Sequence, residues 1–333
     1  MQEKIRENTY FVYEKELEYL LAALELLASF DVNGKIREVY SNTFVEELSG
    51  KFPLLFELFE NIDNMYSIEW LEFLLEYDVT NFSLDTYFQH MRSISEEEFL
   101  SCLLQVPVSD VEKAKITEQG LVEFYQEHRD IFKSYFAVEA LFHKKDWVLD
   151  TLQEFVERLR TEEAERYLNG YAREIETWRQ KMQEALEVED ALAYSESLMG
   201  KSFHNRGPFE MFYFMPSIFM PIRCARWFEK NQILIFDAIR LGQQDNRMIS
   251  DALKMLSDKT RYQILVLLKE RKSMSGVEIA EQMKLATSTI SHHMTHLKNS
   301  GLVHEEPAGN TKYYSINTHC MKNCIETLEK TFL

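Results

Sequence analysis

Residues 252–303 read ALKMLSDKTRYQILVLLKERKSMSGVEIAEQMKLATSTISHHMTHLKNSGLV. Apolar residues recur here at helical spacing in separate blocks, and the breaks between the blocks carry turn chemistry. Residues 249–256 form a short first block. Asp258 opens a second, in which Ile264, Leu265, Leu267 and Leu268 face inward. Ser275 followed by Glu278 is a capping box, which satisfies two orphan amides reciprocally at a helix start. It opens a third helix with Val277, Ile279, Ala280 and Met283 apolar. A tight turn at 284–286 leads into a fourth helix, 287–299, which Gly301 terminates. Residues 302–306 and 312–316 have β character and are joined by Pro-Ala-Gly-Asn. The order is helix, helix, helix-turn-helix, hairpin: a winged helix-turn-helix over residues 246–317.

A DNA major groove admits one helix, whose N-terminal and outer residues reach base edges. In the fourth helix Ile290, Met294 and Leu297 form the inner face. Thr287, Ser288, Ser291, His292 and Thr295 form the outer face, all small or polar donors and acceptors. Lys298 and, on the wing, Lys312 are placed to meet phosphate, and the helix start offers free amides to the same partner. Taken alone, such a face is only a solvated one. The turn before it and the wing after it turn it into an expected double-stranded DNA reader.

The same stretch resembles the winged helix of ArsR-type repressors. The resemblance rests on the Leu-Ser-Asp-x-Thr-Arg start, the Ser-Thr-Ile-Ser-His-His run, Leu-Lys-x-Ser-Gly-Leu-Val before the wing, and the later Lys-Tyr-Tyr-Ser-Ile. It covers about 70 residues. It implies a homodimer on an inverted-repeat operator, repression relieved by a signal, and Thr287, Ser288, Ser291 and His292 at base-reading positions. Two departures matter. Ala286 stands where a capping Ser is usual, which makes Thr287 an alternative cap. The wing reads HEEPAGNTK, so Glu305 and Glu306 leave Lys312 as its firm cation, and modest DNA affinity is expected.

Metal sites of that family map poorly onto this chain. The expected Cys-x-Cys at the third helix is Ser275 and Val277, and the C-terminal Asp-x-His is Asn317-x-His319 with no later His. His319, Cys320 and Cys324 are the residual metal candidates. Two buried cysteines on one face of a dimerisation helix are the stronger expectation, because Cys packs as a small hydrophobe. No metal and no cofactor is expected.

Bulk properties fit this frame. The 333 residues suit two domains. Glycine and proline number only 10 and 6, and Leu, Glu and Phe are abundant, which favours a mostly α protein. The net charge of −18 opposes nucleic acid, yet it is unevenly spread. Residues 245–333 carry 12 Lys+Arg against 10 Asp+Glu, while the preceding 244 carry 25 against 45. Local positive charge governs affinity for phosphate, so only the C-terminal part can read DNA. This asymmetry marks a boundary between a domain at 1–240 and one at 246–333. The start, MQEKIRENTYF, has no apolar signal core, and Glu25 interrupts the most apolar run, YLLAALELLASF. A cytoplasmic protein that avoids membranes is expected.

The first 200 residues read as a series of helices: 14–29, 67–77, 95–105 with a Ser95/Glu98 capping box, 161–186, and 189–199 ending at Gly200. The runs 209–215 and 232–239 read as two strands, an antiparallel pair closing a helical N-terminal domain with a small β-hairpin. A Leu-rich opening helix and Met215-Pro216-Ser217 also resemble a subset of ArsR-type regulators with a long N-terminal domain of unassigned role. No phosphate loop, nucleophile elbow or His-Glu-x-x-His is present, which argues against an enzyme. The many aromatics are core, or line an apolar pocket for a small-molecule effector. His204, Arg206, Arg223, Arg226 and Arg240 are candidates for an anion, with salt bridges as the alternative. A protein-interaction module and an enzyme fused to a DNA-binding module are the competing readings of this domain.

Overall fold

The computed structural model describes residues 1–28, 34–63, 68–200, 207–241, 252–308, 311–318, 320–322, 324–325 and 328. The protein is mostly α. It divides into two compact units, Met1–Gln180 with Phe209–Ala238, and Lys181–Pro208 with Ile239–Leu333. The second unit therefore holds more than residues 246–333: it also takes the segment Lys181–Pro208.

The first unit is helical around one five-stranded sheet. Its strands are β1 (Gln2–Arg6), β2 (Thr9–Val12), β3 (Phe212–Ser217), β4 (Cys224–Phe228) and β5 (Gln232–Asp237). They lie in the order β1-β2-β3-β5-β4. The two strands read from sequence at 209–239 are neighbours, but they run parallel, not antiparallel. The reason is the strand between them. The CARWF run pairs antiparallel with β5 on its far side, so β3 and β5 share a direction. Arg223 and Arg226 disguise β4, and its half-exposed pattern marks an edge strand. Every residue of β5 is buried, as expected of an interior strand covered on both faces. The N-terminal hairpin β1–β2 adds to the other edge, β2 pairing parallel with β3.

Helix α1 (Lys15–Ala28) is buried almost all round. Among its buried residues is a carboxylate, Glu18, only 1% exposed. It accepts hydrogen bonds from the Ser217 hydroxyl and the Ile218 amide at 2.8 Å, and from the Phe219 amide at 2.9 Å. The Ser217 hydroxyl accepts in turn from the Met220 amide. Ser217 thus ends β3 and, with Ile218 and Phe219, wraps a buried carboxylate. Burial pushes the Glu18 carboxyl up to about 7, against the amides of Phe219 and Ile218, the Ser217 hydroxyl and the charge of Lys35, which pull it down.

Elsewhere the expected helices form with adjusted ends. Ser95 caps Glu96–Leu104, and Gly200 ends α2 (Ala191–Met199) in the left-handed region, with φ 67°. The helix expected over 161–186 is two, Glu162–Gly170 and Ala172–Val188. Gly170 weakens the helix there, and the Tyr171 amide closes the first with bonds to Leu168 and Asn169. Residues Glu69–Leu74 wind as a 3-10 helix with Trp70, Leu71, Phe73 and Leu74 buried.

In the second unit a helical turn at 252–256 precedes α3 (Lys259–Arg271), β6 (Ser273–Ser275), α4 (Gly276–Met283), α5 (Thr287–Asn299), β7 (Val303–Ala308) and β8 (Thr311–Ile316). Asp258 caps α3 by accepting from the Arg261 amide at 2.8 Å, which explains the Leu-Ser-Asp-x-Thr-Arg start. Ser275 and Glu278 make the reciprocal capping box at α4. The wing is a three-stranded sheet in the order β6-β8-β7, one strand more than the hairpin read from sequence. Ile264, Leu268, Ile279, Ile290, Met294, Leu297 and Leu302 fill the core of this unit. Cys320 and Cys324 are buried in the same core.

Candidate nucleic-acid interface

The turn between α4 and α5 is built on Lys284, whose φ of 54° reverses the chain within three residues. It delivers Ala286 as the N-cap of α5. Ala286 makes no side-chain cap bond, and Thr287 lies inside the helix rather than capping it. The first amides of α5 are therefore free of a side-chain acceptor, the condition in which a helix start best receives an anionic oxygen.

Apolar spacing sets which face of α5 turns out. Ile290, Met294 and Leu297 are buried. Thr287, Ser288, Ser291, His292, Thr295 and Lys298 are all exposed, so the structure gathers these six expected residues on one surface. Thr295 and His292 are engaged within the helix. The Thr295 hydroxyl donates to the Ser291 carbonyl at 2.8 Å. The Nε2 atoms of His292 and His296 stand 3.2 Å apart, one ring against the edge of the other. His293 is half-buried on the side towards Asp258.

The lysines have a partner that the sequence reading missed. Glu305 on β7 accepts from Lys298 Nζ at 2.7 Å and from Lys312 Nζ at 3.4 Å. The Tyr314 hydroxyl donates to the same carboxylate at 3.3 Å. Burial pushes Glu305 up, but the two lysines outweigh it and hold the carboxyl below the usual range. The register of the wing contained this signal: Glu305 pairs with Tyr314, which puts Lys312 on the diagonal. His304, the preceding residue, donates to the Gly200 carbonyl at the end of α2. Burial lowers its pKa against the opposing pull of Glu196 and that bond.

Of the metal candidates, His319 lies outside the described residues, and Cys320 and Cys324 are core side chains. The Cys320 amide donates to Asn317 Oδ1 at 3.0 Å. Of the candidate anion-binding cations, His204 and Arg206 also lie outside the described residues. No helix among the described residues is long and apolar enough to cross a membrane.

Residues 258–305 match the family model for the bacterial regulatory protein, arsR family. The transcriptional repressor SdpR of Bacillus subtilis (strain 168) is 35% identical over 77 residues, 23% of this chain and 84% of the relative. The cadmium resistance transcriptional regulatory protein CadC homolog of Staphylococcus aureus is 31% identical over 93 residues, 28% of this chain and 74% of that protein. The transcriptional activator HlyU of Vibrio cholerae is 29% identical over 80 residues, 24% of this chain and 73% of its own length. The family model matches within the winged unit, and through it the chain belongs to the arsR family of bacterial transcriptional regulators.

Proposed function

We propose that this regulator is a cytoplasmic homodimer that represses transcription by placing α5 in the major groove of each half of an inverted-repeat operator. The observation that carries the reading is the exposed polar face of α5, Thr287, Ser288, Ser291, His292 and Thr295, behind an uncapped helix start. Lys298 meets phosphate at its flank, while Lys312 of the wing rests on Glu305. Exposed apolar residues on the winged unit, Leu253, Tyr262, Val266 and Ile325, support a self-association surface. The relatives include repressors and an activator, and repression is taken from SdpR, which is the more similar.

In this reading the first unit is a sensor, not an enzyme. An open groove of about 280 Å³, lined by Leu26, Leu27, Tyr40 and Phe56 together with Arg37, Glu46 and Glu60, is the place assigned to a small-molecule effector. The effector alters DNA affinity through the link at 240–246, of which residues 242–246 lie outside the described residues.

The test is selection of duplexes by the full-length protein from a random pool, followed by footprinting. Two protected half-sites with centres roughly 34–36 Å apart, or a multiple of that spacing, are expected. Protection of a single half-site by a monomer would overturn the dimer, and failure to enrich any sequence would overturn the reading as a whole.

Zinc, cadmium and arsenite should leave the selected complex intact in a gel-shift titration. A soft metal needs thiolate or imidazole ligands. The position of the family's thiolate pair holds Ser275, whose hydroxyl is committed to the α4 cap, and the exposed Val277. Release by a metal that disappears in Cys320→Ala would place a sensor at the C-terminal cysteines instead.

A further inference from the structure

We propose that Glu305 is an internal competitor for DNA phosphate: its carboxylate holds Lys298 and Lys312 and so suppresses sequence-independent binding while leaving base reading by α5 intact. The inference rests on the DNA-binding reading and names how that site is tuned.

Three observations carry it. Lys298, on the reading helix, and Lys312, on the wing, both end on the Glu305 carboxylate, at 2.7 and 3.4 Å. The Glu305 side chain is only 16% exposed, against 48% for Lys298 and 60% for Lys312. The anion is therefore the fixed partner and the lysines are the mobile ones. The Tyr314 hydroxyl, on the paired strand, holds the second carboxylate oxygen in place. A loose surface ion pair is worth little. This one is a half-buried carboxylate shared by two cations, with a hydroxyl fixing its orientation.

The consequence follows from how proteins bind a polyanion. Nonspecific affinity comes from lysines and arginines displacing counterions from phosphate, and each contact adds about 0.9 to the slope of log K against log salt. A lysine already neutralised by Glu305 contributes less to that sum, and the carboxylate itself repels the backbone. Hydrogen bonds from Ser288 or His292 to base edges are not touched by this competition. Glu305 thus weakens binding to every sequence by a similar factor and leaves the ratio between operator and bulk DNA unchanged. In a chain of net charge −18 with a winged region near neutrality, this sets a threshold that only a well-matched site exceeds.

The experiment measures Kd for the full-length protein on two probes, a mixed-sequence duplex and a duplex enriched from a random pool, across a salt series. Glu305→Gln keeps the bulk and the acceptor for Tyr314 but releases both lysines. It should bind the mixed-sequence duplex roughly 5- to 30-fold more tightly at 0.15 M salt, with a slope steeper by about 1 to 2. The ratio between the enriched and mixed probes should stay within about twofold. Glu306→Gln removes the same charge one residue along, and should change the slope by less than half as much. In the otherwise unaltered protein, Lys312→Gln should shift Kd less than about twofold, because that lysine is already occupied. In the Glu305→Gln background the same change should remove about half of the gain. The Lys312→Gln arm stands even if Glu305→Gln folds poorly, which circular dichroism would show.

Unchanged affinity and slope in Glu305→Gln, an equal effect of Glu306→Gln, or a large loss from Lys312→Gln alone would each overturn the role of Glu305. Those results leave the DNA-binding reading standing. If neither the unaltered protein nor Glu305→Gln retains any duplex, the DNA-binding reading falls, and the inference with it.

Discussion

Glu18→Ala should destabilise the first unit by about 3–5 kcal/mol, enough to unfold much of it at 37 °C. The replacement leaves the Ser217 hydroxyl and the amides of Ile218 and Phe219 buried without an acceptor. Each such loss costs about 1–3 kcal/mol, and a single domain holds only about 5–15. The readout is clean because all four tryptophans, Trp70, Trp147, Trp178 and Trp227, belong to the first unit. Tryptophan fluorescence in urea therefore follows that unit alone. A loss under 1 kcal/mol would mean that the loop at 217–220 finds other acceptors and is not held by Glu18.

The same carboxylate gives a dependence on pH with a definite sign. Its folded pKa is raised, from 4.5 to about 7. The native state therefore binds the proton more tightly than the unfolded chain does. The stability this supplies is complete below about pH 4.5 and is lost as pH rises to about 7. A difference of this size corresponds to about 3 kcal/mol at most. The measurement is the difference in unfolding free energy between the unaltered protein and Glu18→Gln from pH 5 to 8. The amide does not titrate, so the difference should fall by most of that amount as pH rises, then level off above 7. Glu69 and Glu72, also raised by burial, titrate in both proteins and cancel. A flat difference would mean that Glu18 is ionised throughout and that its three donors outweigh its burial.

These contrasts show what the sequence could and could not reveal. The winged unit was legible because each of its boundaries is written in local chemistry. Asp258 caps one helix, Ser275 with Glu278 opens the next, Lys284 turns, and Gly301 stops the reading helix at φ 76°. Local rules suffice when every element is held by its own ends. The sheet of the first unit obeys a different logic. Its strands come from residues 2–12 and 212–237, and parallel pairing of β2 with β3 joins segments about 200 residues apart. No periodicity within either segment announces the other. The apolar run at 233–236 within β5 did hint at burial on both faces, and that pattern belongs to parallel interior strands more than to a hairpin. Glu18 was hidden for a related reason. A carboxylate beside Leu17, Leu20, Leu21 and Leu24 reads as the wet side of an amphipathic helix, yet α1 has almost no wet side. On the wing the difficulty was smaller: Lys298 and Lys312 were chosen by charge alone, and only strand register reveals that Glu305 meets both.

The α5 face itself is tested by the double substitution Ser288→Ala and His292→Ala. Both side chains are exposed, so neither removal opens a cavity, and the core residues Ile290, Met294 and Leu297 stay in place. Folding should therefore be spared, apart from the loss of the His292–His296 contact on the surface. Binding should not be spared. A good base-edge contact is worth about 1–3 kcal/mol of discrimination, so losing two should weaken binding to the enriched duplex by about 2–6 kcal/mol. Neither residue is one of the lysines placed against phosphate. Affinity for a mixed-sequence duplex should then stay within about twofold, with an unchanged salt slope. Sequence preference would be lost while phosphate attraction remains. The opposite pattern, a uniform loss on both duplexes with a shallower slope, would make this face a phosphate contact and move the base reader elsewhere. A footprint on the enriched duplex identical to that of the unaltered protein would remove α5 from the groove altogether.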